Sequence, residues 1–161
     1  MSVYSISGVR FACKSDIYEI LSLMESYVAS GVLLPRSEAD ILKNLPATWV
    51  SEESGKITGT ISLVDYGNNL FEARAFVVKP EYQKKGTGKA LVQEVIHYLN
   101  AKKKSLNQNV TLFALTYVPE FFKQFGLSIV SKEKFPQKIF EVCQYCKKAD
   151  NCLEVAVELI I

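Results

Sequence analysis

The sequence predicts an α/β (α+β) fold, a central mixed, mostly antiparallel sheet with helices on both faces. Three observations carry this. Hydrophobic spacing alternates between helical and strand-like along the chain, a glycine- and lysine-rich turn joins an apolar run to a helical one, and 161 residues at 48% hydrophobic content suffice for one core. The prediction is therefore a single domain over residues 1–161. No internal repeat or low-complexity tract interrupts it.

Residues 9–12 read as a first strand. Asp16 then caps a helix whose apolar positions Ile17, Ile20, Leu21, Met24, Tyr27 and Val28 follow helical spacing, and Gly31 closes it. Ser37 and Asp40 stand in capping-box positions for a short second helix through Leu45, which Pro46 stops. Residues 48–52, 56–65 and 70–78 form an antiparallel meander, with turns at Ser54-Gly55 and Gly67-Asn68-Asn69. A helix from near Thr87 to about Asn100 and a strand over residues 110–115 complete a strand, crossover helix, strand unit. Lys102, Lys103 and Lys104 complement the end of that helix on a solvated face. A short helix over residues 119–125 ends at Gly126, before strands over 127–130 and 153–160.

Composition excludes several classes of partner. A formal net charge of +2 falls short of the concentrated basic surface that nucleic acid or an anionic membrane requires. No apolar stretch approaches the roughly 18 residues of a membrane span, and the first residues lack a basic start followed by an apolar block. The expectation is a cytoplasmic, soluble protein, monomer or homodimer, with a small-molecule partner and no nucleic acid or membrane.

The segment Gln83, Lys84, Lys85, Gly86, Thr87, Gly88, Lys89, Ala90 carries the chemistry. Two glycines let backbone N–H groups approach a ligand, and a helix starting there adds the positive end of its dipole, so the segment suits an anion, above all a phosphate. A Walker A loop needs Gly in place of Gln83 and Ser or Thr in place of Ala90, and a dinucleotide fingerprint needs Gly in place of Leu91. Neither loop fits.

What remains, Gln83-x-x-Gly86-x-Gly88 after a strand ending Val77-Val78-Lys79-Pro80, resembles the pyrophosphate loop of the GNAT superfamily of acetyl-CoA-dependent N-acetyltransferases. The resemblance runs from residue 9 to 160 and is closest over 70–91 and 112–127. Within the superfamily the chain is most similar to short, stand-alone N-acetylglutamate synthase-type enzymes, through residues 33–36, 71–78, 112–122 and 138–146. It implies a splayed GNAT sheet, acetyl-CoA as donor, and direct attack by an amine in a ternary complex. It further implies that Phe76, Val77 and Val78 meet the coenzyme through main chain, with Gln83 to Ala90 around the pyrophosphate.

Acetyl transfer needs a neutral amine, a stabilised oxyanion and a proton for the thiolate. Glu72 matches the family position that deprotonates the amine, directly or through water; read from the residues alone, it serves equally as an outward-facing surface carboxylate. Arg74 shares its strand face and is apt for a substrate carboxylate. Arg36, in the loop that closes over the acceptor in the family, and Lys138 are further carboxylate ligands, or else surface cations, the reading that residue type alone favours for Lys138. The family's usual acid, a Tyr, is replaced by Phe122, so Tyr117 or water protonates the thiolate, unless Tyr117 is only an aromatic beside the cleft.

Cys143, Cys146 and Cys152 form a C-x2-C-x5-C cluster that allows zinc, with Cys13 or His97 as a distant fourth ligand, but redox-sensitive or merely packed thiols are together favoured over metal. The leading function is acetylation of an amino acid's α-amine, with L-glutamate as acceptor and N-acetylglutamate, an arginine-biosynthetic intermediate, as product. Other amines or peptides are the alternative; cationic ones would want acidic walls, whereas Arg36, Arg74 and Lys138 are basic. A non-catalytic acetyl-CoA sensor is the third reading, sustained by Phe122.

Overall fold

A computed structural model of the chain describes residues 8–141 and 152–161. Its elements are β1 (Val9–Phe11), α1 (Ile17–Ala29), α2 (Glu38–Asn44), β2 (Thr48–Glu53), β3 (Lys56–Asp65), β4 (Leu70–Val78), α3 (Thr87–Leu106), β5 (Thr111–Thr116), α4 (Pro119–Lys123), β6 (Ser128–Val130), α5 (Pro136–Glu141) and β7 (Val155–Ile160). They fall into two compact units, the first running to Val64 and including Ala73–Tyr98, the second holding Asp65–Glu72 and the chain from Leu99. Strand β4 contributes to both. The strand order is β1-β2-β3-β4 in the first unit and β4-β5-β7-β6 in the second. Pairings β1–β2, β2–β3, β5–β7 and β6–β7 are antiparallel and β4–β5 is parallel, which gives the mixed, mostly antiparallel, helix-flanked sheet that the sequence predicts.

In the first unit, α1 sets Ile17, Ile20, Leu23 and Met24 against Ile41 of α2 and against Val50, Ile57, Ala75 and Val77 of the strands. Each of these side chains larger than alanine stabilises the fold by about 1.5–3 kcal/mol when fully buried. Asp16 departs from its predicted capping role: its side chain makes no cap bond to α1. It accepts from the Arg10 guanidinium at 2.7 and 3.0 Å and from the Cys13 N–H at 2.8 Å. Those bonds, Arg10 foremost, hold the Asp16 carboxyl at about 2. Arg10 also donates to Glu52 at 2.7 and 2.8 Å, so one guanidinium joins β1, the turn before α1 and β2. The capping box of α2 forms as predicted, with the Asp40 N–H donating to Ser37 Oγ at 3.1 Å and the Ser37 N–H to Asp40 Oδ2 at 2.9 Å.

The second unit is centred on Phe113, whose ring stacks on Phe135 at 4.0 Å between centroids, with Ala156 beside them. Strand β7 lies between β5 and β6, pairing Phe113 with Glu158 on one side and Ile129 with Val157 on the other. Two elements differ from the sequence expectation. Helix α3 passes Asn100 and ends at Leu106, because good helix formers with lysines near the negative end of the dipole extend it after the apolar spacing stops. Helix α5 was not predicted; at six residues it is too short to show a helical period.

Candidate active site

The Gln83 to Ala90 loop forms where β4 ends. After Val78 a short turn over Pro80–Tyr82 leads into a reversal in which Lys84 and Gly86 take φ of +58° and +90°, and α3 begins at Thr87. A residue with φ in this range is strained unless it is glycine, so Gly86 suits its place and Lys84 bears a local cost. The Ala90 N–H donates to Gly86 O at 2.9 Å and so opens the helical ladder. The N–H groups of Thr87, Gly88 and Lys89 therefore come before the ladder, at the positive end of a 20-residue helix. Lys84, Lys85 and Lys89 are exposed around them. Gly59 of β3 makes room for this arrangement, since a Cβ there would stand 3.1 Å from Val77 O, 3.0 Å from Leu91 and 3.3 Å from Thr87.

Gln83 has a second task that its motif position does not reveal. Its side-chain amide donates to Tyr27 Oη at 2.7 Å and to Val78 O at 3.3 Å, while Tyr27 Oη donates to the same Val78 O at 2.8 Å. The loop is thereby tied both to the end of β4 and to α1. Just upstream, Ala75 takes φ of +53° inside β4, which breaks the regular pleat immediately before Phe76, Val77 and Val78. Phe76 is half-buried and the two valines are buried.

Arg36 and Arg74 line one small cavity with Asp40, Asn44, Thr48 and Ser62. At about 20 Å³ it has room for about one water molecule. Asp40 is bound to Ser37 by the capping box, whose hydrogen bonds lower its pKa.

Glu72 is not the outward-facing carboxylate that its residue type allows. It is 2% exposed, accepts from Tyr66 Oη at 2.7 Å, and pairs through Oε1 with Lys138 Nζ at 2.7 Å. Lys138 is likewise buried, at 6% exposure, so its reading as a surface cation is corrected. An ion removed from water requires a partner of this kind, and the two residues supply one another. Tyr66 was missed in the sequence; its ring rests 5.9 Å from that of Phe113, which helps fix the phenol. Tyr117 follows β5 and is 40% exposed, whereas Phe122 is buried in α4.

Cys143 and Cys146 lie outside the described residues. Cys13 and Cys152 are free thiols, His97 is exposed, and no group of three metal-ligating side chains occurs among the described residues. None of the described helices is long and apolar enough to cross a membrane.

The fold and the loop meet in a known family. Residues 45–126 match the acetyltransferase (GNAT) domain model. An uncharacterized N-acetyltransferase from Chlorobaculum tepidum is 32% identical over 149 residues, covering 92% of this chain and 93% of the relative. This chain belongs to the GNAT acetyltransferase family. Its fold is similar to that of N-acetylglutamate synthase from Neisseria gonorrhoeae, solved with coenzyme A and N-acetyl-glutamate, with a TM-score of 0.77 and 22% identity over 94% of this chain. The alignment covers 34% of that enzyme, so this chain spans about a third of its length. Rv2747 from Mycobacterium tuberculosis, solved with CoA, gives a TM-score of 0.74 at 24% identity, covering 95% of this chain and 98% of that one.

Proposed function

We propose that this acetyltransferase uses acetyl-CoA to acetylate the α-amine of an amino acid, with L-glutamate as the acceptor. The observation that carries the reading is the pair of arginines, Arg36 and Arg74, lining one cavity. Guanidinium groups bind carboxylates in bidentate fashion, and a dicarboxylic amino acid offers two. With Asp40 in the same lining, two guanidinium groups face one carboxylate, and the surplus positive charge disfavours a polyamine. The structural likeness to the Neisseria synthase and its N-acetyl-glutamate complex supports the same acceptor.

In this reading the amide groups at the start of α3 and the flanking lysines receive the coenzyme pyrophosphate, and the main chain of Phe76, Val77 and Val78 aligns the thioester arm. Glu72, which accepts from Tyr66 and pairs with Lys138, takes the amine proton through water. The amine then attacks the thioester carbonyl and the C–N bond forms; the tetrahedral oxyanion collapses as the C–S bond breaks, the nitrogen gives its surplus proton to solvent, and the coenzyme leaves as thiolate. Tyr117 or solvent returns a proton to that sulfur, because Phe122 has none to give. Replacing Glu72 by Gln keeps the side-chain shape and removes the base. Coenzyme binding should survive while free-thiol release with glutamate falls by roughly 10²–10⁴; unchanged turnover would remove Glu72 from the mechanism.

A further inference from the structure

We infer that Tyr27 is a positioning residue that links occupancy of the coenzyme loop to the placement of the Arg36 segment. The inference rests on the reading of the Gln83 to Ala90 loop as a coenzyme site. Tyr27 is engaged at both ends. Its hydroxyl accepts from Gln83 Nε2 at 2.7 Å and donates to Val78 O at 2.8 Å, the last residue of β4. Its carbonyl accepts from the Val32 N–H at 3.0 Å, the Leu33 N–H at 3.1 Å and Ser30 Oγ at 3.1 Å.

Those second contacts hold the turn that follows α1. Gly31, at φ +76°, reverses the chain there, and Arg36 stands a few residues further on. Between Leu33 and Ser37 the backbone is neither helix nor strand, and α2 begins only at Glu38. Tyr27 is thus the fixed point from which this stretch departs.

The cavity gives the link a purpose. With Arg36 where it lies, the space beside Arg74 admits about one water, at about 20 Å³, so a larger ligand needs the lining, which includes Arg36, to give way. Gln83 is exposed and sits in the turn that would contact the coenzyme. A ligand that fixes Gln83 also fixes the hydroxyl of Tyr27, hence the end of α1 and the carbonyl from which Val32 and Leu33 hang. Donor binding then narrows the positions open to Arg36 before the acceptor arrives.

Hydrogen–deuterium exchange on the full chain, with coenzyme A as the probe, tests this. In the wild type, saturating coenzyme A should slow exchange of a peptide spanning residues 28–36 by roughly fivefold, the factor expected of one hydrogen bond made more persistent. Tyr27→Phe keeps the ring and removes both hydroxyl bonds; it should bind coenzyme A, protect residues 83–90, and leave 28–36 unprotected. Gln83→Leu removes the Gln83 bond to Tyr27 and leaves Tyr27 Oη on Val78 O; at coenzyme A concentrations that still protect its residues 84–90 it should lose the 28–36 protection, and it replaces the first variant if that one fails to fold. Protection of 28–36 that persists in either variant overturns the inference, as does its absence in a wild type whose residues 83–90 are protected. If coenzyme A neither binds nor protects 83–90 in the wild type, the coenzyme-site reading falls and the inference with it.

Discussion

Replacing Lys138 by Met probes the buried ion pair of the second unit. The ammonium and the Glu72 carboxylate are 2.7 Å apart, with side chains 7% and 3% exposed. Removing the cation leaves a carboxylate that has lost water and its main counter-charge, a change that costs about 3–5 kcal/mol. Tyr66 still donates to Oε2, so the lower end, about 3 kcal/mol, is expected. For a chain of this size that is roughly a 6–12 °C fall in Tm, read by thermal unfolding at neutral pH. The double variant Glu72→Gln, Lys138→Met should recover at least half of the loss, because Gln stays neutral and its carbonyl still accepts from Tyr66. A single variant within about 1 °C of wild type, or a double variant no better than the single, would refute the reasoning.

Two further outcomes follow from packing and charge in the first unit. Gly59→Ala puts a Cβ 3.1 Å from Val77 O, a main-chain atom that cannot rotate away, and 3.0 Å from Leu91; expected are a loss of about 1–3 kcal/mol and a several-fold higher KM for acetyl-CoA, checked by melting and donor titration. Unchanged values for both would show that α3 does not depend on this close approach. Asp16 is held at about 2 against an ordinary 3.8, so its contribution, on the order of 2 kcal/mol, is complete above pH 4 and is lost as pH falls towards 2. Urea unfolding of wild type and Asp16→Asn should differ by that amount at pH 7 and converge near pH 2. A gap that stays constant with pH contradicts the assignment.

The order of elements was legible in the sequence because hydrophobic period and turn chemistry are local. The turn that joins β4 to α3 was legible for the same reason: Gln83, Gly86, Gly88 and the helix start are neighbours in the chain. What spacing does not encode is which distant groups meet. Glu72 in an apolar strand announced that it needed solvent or a partner, yet nothing local pointed to Lys138 in a helix too short to show a period, or to Tyr66 in the turn before β4. Tyr27 fitted the apolar stripe of α1, and its polar end became visible only once Val78 and Gln83 were beside it. Strand order escaped for the same reason, since nothing in the chain sequence says that β7 enters between β5 and β6. Arg36 and Arg74 were each apt by residue type, and the fold brings them to one cavity.

The proposed acceptor is an amino acid with two carboxylates. Initial rates of coenzyme A release from acetyl-CoA, measured with glutamate, aspartate, glutamine, lysine and spermidine on the wild type and on Arg74→Ala, test it most directly. Expected are the highest kcat/KM with glutamate, confirmed as N-acetylglutamate by mass, and a loss of that preference by roughly tenfold or more in the variant, in keeping with a charge-assisted bond removed. A preference for lysine or spermidine, or a glutamate preference that outlasts the loss of Arg74, would contradict it.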